Sequence, residues 1–202
     1  MILQGCLVQL RPLLADDAEV TLHWRLSERA RFLNKGAQTV DEQRLWIVAH
    51  KGADEFNFII KYKNMPVGMI AIYGINHQHK SALIGRFILG EKAIVDNAPV
   101  AFEAELLVCD YIFMELGLHK IYGDIVEDNI GVVRFRSYLG YHQDGFLRDH
   151  FWNGEAYQNM IAVSLLETEY WEKCRPRLIS LIELFTKYSY QPSNNSELPM
   201  ED

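Results

Sequence analysis

Cysteine is scarce in this chain. Cys6, Cys109 and Cys174 are odd in number and far apart, and their spacing offers neither a disulfide framework nor a set of metal ligands. Positive charge is also short: 20 Lys and Arg stand against 27 Asp and Glu, a formal net charge of −7. That balance argues against nonspecific nucleic-acid binding, which needs clustered cations to displace counterions, but leaves room for one local basic groove. No apolar run approaches the ~20 residues of a membrane-spanning helix. The opening MILQGCLVQLRPLL lacks the basic leader and small-residue cleavage site of a signal peptide. These absences together read as a cytoplasmic protein without membrane or nucleic-acid partners. What is present is typical of a folded domain: 49% hydrophobic and 23% charged residues over 202 positions, enough for one core and a short appendage.

Hydrophobic patterning predicts a first strand over 6–13, where Leu7, Gln9 and Arg11 alternate with Val8, Leu10 and Pro12. A helix opening at Asp16 and Asp17 carries Val20, Leu22 and Trp24, and a short helix follows near Ser27. Residues 40–50 read as another helix, with Leu45, Trp46 and Val48 facing inward. Three antiparallel strands span 55–62, 66–75 and 81–89, the first two joined by a tight Lys63-Asn64 turn. A polar loop after Gly90 leads to a helix over 100–116 closed by Gly117. A strand over 119–126, a helix over 130–139 and a hairpin over 141–152 and 156–166 complete the parent domain, residues 1–166. Because pure βαβ alternation is missing, an α/β fold with one mixed sheet and helices on both faces fits better than a doubly wound one. From Glu167 the spacing of Leu178, Leu181, Ile182 and Phe185 predicts a helical extension over 167–189, with Pro176 as a break. It packs on the parent domain or forms a homodimer contact. Residues 190–202 read as a flexible polar tail.

Two stretches carry a family resemblance. YIFMELGLHKIYGDIVEDNIGVVRFRSYLGYHQDGFLRDHFWNGEAYQNMIAVSLL resembles the C-terminal half of a GNAT acetyltransferase, and LHWRLSERARFL after LRPL resembles the N-terminal helices of the RimJ/RimL-like branch. The Trp24-Arg25 pair and the RDH…NGEAYQN ending are most similar to N-acetyltransferases of nucleotide-linked amino sugars, of the pseudaminic-acid pathway type. The resemblance covers about residues 7–166. It implies a mostly antiparallel sheet whose fourth and fifth strands part, and direct transfer of acetyl from acetyl-CoA to a primary amine without a metal. Pantetheine would lie between strands 82–89 and 120–126, held by Phe87, Ile88, Leu89 and Asn129, with the helix start at Ala98, Val100 and Ala101 facing the pyrophosphate. Asn129 is equally a candidate helix cap.

The chain departs from that pattern at three places. The usual glycine-rich phosphate loop is replaced by GEKAIVDNAPVAFEAELL, in which residues 96–101 hold no glycine, Pro99 lacks an N–H and Asp96 brings negative charge. Leu83 stands where many relatives carry an acid before a glycine. Arg136 stands where many carry a tyrosine that protonates the leaving thiolate. Glu127, Asp128, Tyr138, His79 and His150 are therefore the candidates for proton transfer. On the acceptor side Arg25 and Lys35 suit a diphosphate, Trp24 or Trp46 a base, and Tyr157 a sugar platform. Trp24 as core and Arg25 as a surface ion-pair partner are the alternatives. Three functions stay open: an N-acetyltransferase of a nucleotide amino sugar, one of protein N-termini or small amines, and a GNAT-derived binding module without catalysis. An acidic acceptor cleft would favour small amines and a basic one the nucleotide sugar.

Overall fold

The computed structural model describes residues 1–52, 54–186 and 190. In chain order the elements are β1 (Leu3–Gln4), β2 (Val8–Pro12), α1 (Ala18–Leu26), α2 (Val40–Ala49), β3 (Phe56–Tyr62), β4 (Met65–Asn76), β5 (Ser81–Leu89) and the one-turn α3 (Lys92–Val95). They continue with α4 (Val100–Asp110), β6 (Lys120–Val126), α5 (Ile130–Leu139), β7 (His142–Trp152), β8 (Tyr157–Leu166), α6 (Glu167–Glu169) and α7 (Arg175–Thr186). The strands form one sheet in the order β1-β2-β3-β4-β5-β6-β8-β7. Every pairing is antiparallel except β5 with β6.

Period-two alternation sorts the strands between two cores. Leu10, Ile60, Ile70, Ile72 and Ile121 face α4 and α7 through Ala104, Val108, Leu178 and Ile182. Ile59, Met69 and Ile88 face α1 and α2 through Ala18, Trp24 and Ile47. The mixed sheet with helices on both faces is as expected. Lys63 and Asn64, both at positive φ (49° and 64°), make the tight turn between β3 and β4.

β5 and β6 pair only at Ser81–Lys120, Ala82–Ile121 and Leu83–Tyr122. Beyond that point β5 keeps its hydrogen bonds to β4 and β6 keeps its bonds to β8, so the two strands part. The cause is local. On β5, Arg86 and Phe87 intervene between Gly85, paired with Ala71, and Ile88, paired with Met69, so two residues oppose the single Ile70. Such a bulge bends and twists its strand, and Arg86 adopts the left-handed φ of +51° to make it.

Several expectations need correction. The first strand begins only at Val8, because the N–H groups of Cys6, Leu7 and Val8 turn around one buried carboxylate, Glu103, at 2.7, 2.8 and 2.8 Å. Burial raises the Glu103 pKa against the lowering by those three bonds. β1, missed in the sequence, is the return of that turn. On α2 the inward residues are Gln43 and Ile47, whereas Leu45 and Val48 are exposed. Gln43 turns inward because its amide donates to Thr21 Oγ1 on α1 at 3.0 Å. The helix from Val100 is α-helical only to Asp110 and closes as a π turn over Tyr111–Glu115 before Gly117 at φ +58°.

In the extension, Pro176 does not break the helix. A π turn over Tyr170–Cys174 precedes it and already loosens the hydrogen-bond ladder, so the missing N–H is absorbed. The stretch docks on α4: Leu178 and Ile182 are buried, and Asp110 accepts from Tyr170 Oη (2.6 Å) and Arg175 Nε (2.9 Å). Phe185, expected inside, is half-exposed beside Phe102, with ring centroids 6.0 Å apart. Expectations for residues 187–189 and 191–202 lie outside the described residues. Replacing Leu178 by Ala should destabilise the protein by about 2–5 kcal/mol, read as a lowered melting temperature, because the site is sealed on all sides.

Candidate active site

The gap between β5 and β6 opens into a cleft of about 580 Å³. Its walls come from the end of α1 and the loop after it, from Trp46 on α2, and from the cleft face of α5, where Asn129, Val132 and Arg136 recur at helical spacing. Tyr73 on β4, Tyr122 and Asp124 on β6, and His150 and Phe151 on β7 complete it.

Cations dominate the side of the cleft formed by α1, the loop after it, α2 and β5. Arg86, thrown out of the sheet by the bulge, lies between two rings, its Cζ 5.0 Å from the Trp46 centroid and 4.5 Å from that of Tyr73. Glu55 forms an ion pair with it, and Asn57 Oδ1 accepts from it at 2.9 Å. Arg25 approaches the same Trp46 ring, at 6.0 Å, and donates to the Asn34 carbonyl at 2.7 Å. Burial and the charge of Arg86 both lower the Arg25 pKa. No carboxylate among the described residues pairs with Arg25, so its charge is available to an anion. Lys35 lies against Gly154 in the β7–β8 turn and lines the cleft. Asp124 is the single carboxylate on the lining among the described residues, and it makes neither a side-chain hydrogen bond nor an ion pair.

A second feature borders the cleft. Glu105 on α4 is buried, pairs with Arg136, and lies 3.3 Å from Tyr141 Oη, to which Arg136 donates at 2.7 Å. Burial pushes the Tyr141 phenol well above its ordinary value. Arg136 thus replaces the expected phenol with a fixed, partly neutralised cation.

The structure separates the other candidates. Phe87, Asn129, Arg25, Lys35 and His150 line the cleft. Asn129 occupies the N-cap position of α5 but makes no side-chain capping bond, which leaves its amide to the cleft. Ile88 is buried beneath α1 and α2, and Leu89 pairs with Gly68 on β4. Near the start of α4, the N–H groups of Ala98 and Val100 are consumed by Val95 O (2.9 Å) and Ala98 O (2.8 Å). Those of Ala101 and Phe102 have no partner among the described residues. Trp24 is core: it is buried, packs on the bare backbone of Gly90, and its indole N–H donates to Glu91 at 2.9 Å, leaving no ring face for a base. Glu127 and Asp128 accept from Asn159 (3.0 Å) and Gln158 (2.6 Å), and only Asp128 reaches a neighbouring groove. Tyr138 lies outside the cleft beside Arg177, and Tyr157 stands exposed against Trp152. Arg86 and Asp124 were missed because both sit inside strands, where one charged residue looks like an ordinary solvent-facing position.

No group of three or more His, Cys, Asp or Glu among the described residues is placed to hold a metal ion, and no helix there is long and apolar enough to cross a membrane. The family model described as the acetyltransferase (GNAT) domain matches residues 8–142. "Probable N-acetyltransferase YjcK" of Bacillus subtilis is 29% identical over 160 residues, 72% of this chain and 86% of that protein. The spermidine N(1)-acetyltransferase of Escherichia coli K12 is 26% identical over 116 residues, 57% of this chain, which spans 61% of that protein. Among solved structures, a GCN5-related N-acetyltransferase from Brucella melitensis superimposes with a TM-score of 0.75 at 22% identity, covering 89% of this chain and 84% of that one. Spermidine N-acetyltransferase from Vibrio cholerae with CoA and spermine gives 0.72 at 22% identity, covering 82% and 98%. Replacing Glu105 by Gln should leave Arg136 as an uncompensated buried charge and cost about 3–5 kcal/mol of stability, read in denaturant unfolding.

Proposed function

The chain belongs to the GNAT acetyltransferases, a family of acyl-transferring enzymes that use acetyl-CoA, and from that premise we propose that it acetylates the amine of an anionic acceptor, a nucleotide-activated amino sugar. The observation that carries this reading is the charge of the acceptor side: Arg25, Lys35 and Arg86 line a cleft whose lining holds one carboxylate among the described residues. A polyamine such as the spermine bound by the Vibrio cholerae enzyme would enter that cleft against Arg25 and Lys35, which have no ion pair among the described residues, whereas a diphosphate is attracted by them. Arg25, in the last turn of α1, and Lys35, in the loop that follows, reach the cleft from one side and suit a diphosphate, while the rings of Trp46 and Tyr73 offer flat apolar surface beside it.

The residues present fit acetyl-CoA. Beyond Leu83 and Tyr122 the facing backbone edges of β5 and β6 no longer pair with each other, so an amide-bearing pantetheine arm finds donors and acceptors there. The free N–H groups of Ala101 and Phe102 at the positive end of α4 suit a pyrophosphate, and Asn129 suits the arm between. The thioester, when bound, supplies the electrophilic carbonyl. The chain's part is to orient the acceptor nitrogen toward it, and backbone N–H groups at the strand gap are the donors nearest any charge that develops on the carbonyl oxygen.

Two measurements test this. Replacing Arg25 by Ala should raise KM for a nucleotide amino sugar about tenfold or more, since a charge-assisted hydrogen bond contributes about 1.5–3 kcal/mol, while acetylation of spermidine is not impaired. An unchanged KM removes the diphosphate from this side of the cleft. Replacing Ala101 by Glu places a carboxylate in the first turn of α4, where the helix dipole favours it. Stability should hold or rise while calorimetric affinity for acetyl-CoA falls about tenfold or more; retained affinity would move the pyrophosphate elsewhere.

A further inference from the structure

We infer that Asp124 receives the ammonium group of the acceptor and takes its proton before acyl transfer, an assignment that rests on the amine-acetylating reading above. Three independent placements carry it. The first is position along the strand. Asp124 stands two residues beyond Tyr122, the last residue of β6 paired to β5, and so at the mouth of the gap, about 7 Å past the final pairing. The second is the face. Ile121 packs into the core beneath α4, so the period-two offset turns Tyr122 and Asp124 to the opposite side, the side of Tyr73 and of the α1–α2 wall. The negative charge of Asp124 adds to the rise of the Tyr73 pKa, of which burial is the main cause, and this agrees with the two side chains sharing that space. The third is the absence of any competing partner. Glu55 is committed to Arg86, Glu105 to Arg136, Glu127 to Asn159 and Asp128 to Gln158. Among the described residues Asp124 has no such commitment, and it lines the cleft where the other four do not.

Charge makes the position informative. Besides Asp124, the titratable and charged groups on the same lining are Arg25, Lys35, Tyr73, Arg86, Tyr122, Arg136, Tyr141 and His150, while α2 and β8 contribute Trp46, Met160 and Val163, which do not titrate. Without Asp124 an incoming ammonium would meet only cations and neutral groups. With it, an acceptor carrying both an anion and an amine is oriented at both ends, its anion on Arg25 and Lys35 and its nitrogen on the carboxylate at the gap. His150 is less well placed for the same task, because β7 lies two strands from the gap, roughly 10 Å away at normal strand spacing.

The step balances. The ammonium gives one proton to Asp124 and becomes an amine, whose lone pair forms the C–N bond to the thioester carbonyl as the C–S bond breaks. The second nitrogen proton leaves with the thiolate as free thiol, and the proton on Asp124 returns to solvent.

The test uses the full chain with UDP-glucosamine and acetyl-CoA. Asp124→Asn should lower kcat by about 10²-fold or more, with unchanged melting temperature and unchanged calorimetric affinity for acetyl-CoA, and Asp124→Glu should recover part of the rate. In the Asn variant only acceptor that is already a free amine in solution can react, so kcat/KM should rise steadily with pH toward the pKa of that amine, which a purely structural role would not produce. Binding supplies a readout apart from turnover: the wild type should bind UDP-glucosamine more tightly than UDP-glucose, which lacks the ammonium, and Asp124→Asn should erase that preference. A kcat close to wild type, or a preference that survives the substitution, overturns the assignment. If spermidine is acetylated and UDP-glucosamine is not, the nucleotide-sugar reading fails alone, and the same loss in Asp124→Asn is expected with spermidine. Transfer to neither amine overturns both.

Discussion

One inserted residue on β5 governs the architecture of the site. Opposite Ile70 the strand carries both Arg86 and Phe87, and the bulge lets β5 follow β4 while β6 follows β8. A ladder without it would continue past Leu83 and Tyr122, close the sheet and leave no cleft. The same bulge puts a non-glycine residue at φ +51°, a conformation that costs of order 1–3 kcal/mol and persists only where its surroundings hold it. They do: Glu55, Asn57, Trp46 and Tyr73 surround the Arg86 guanidinium, so the strain that opens the gap also fixes a cation at its edge.

The charges around the gap are sorted by partner. Arg86 and Arg136 are tethered to buried or half-buried acids and act as fixed elements of the wall. Among the described residues, Arg25 is held by a backbone carbonyl and by Trp46, and the Asp124 side chain has no hydrogen-bond or ion-pair partner. Unpaired groups of opposite sign on facing walls suit a ligand that is itself dipolar. A ligand carrying both a phosphate and an ammonium would meet an opposite charge at each end, so neither of its charges would be desolvated without compensation.

Much of the fold was legible because its strands alternate over five or more residues and its turns use residues that tolerate positive φ, as at Lys63-Asn64 and Gly140. α5 begins at Ile130 and ends before Gly140 as read, since a left-handed glycine terminates it. What failed depended on partners distant in sequence. Nothing near Gln43 announces Thr21, nothing near Trp24 announces Glu91, and nothing near Cys6 announces Glu103, 97 residues away. Of the site, Arg25, Lys35, Phe87, Asn129 and His150 were legible through the resemblance and through charge type. Arg86 and Asp124 were not, because their meaning comes from a bulge and a parting that no single strand displays.

The loop before α4 has no glycine over residues 96–101 and still presents donors. Ala98 and Val100 spend their N–H groups on the loop itself, and Pro99 has none, so the usual close backbone approach is lost there. The free donors shift one step into the helix, to Ala101 and Phe102, where the aligned peptide dipoles reinforce them. Such a site depends on the helix start being held still, and two buried acids do that. Glu103 ties the first turn to the amides of Cys6, Leu7 and Val8, while Glu105, two residues on, ties the next to Arg136 of α5. A helix anchored to β2 and to α5 cannot shift its N-terminus relative to the gap without breaking a buried ionic contact. The amides of Ala101 and Phe102, the side chain of Asn129 and the parted strands are therefore kept in fixed register by two buried carboxylates.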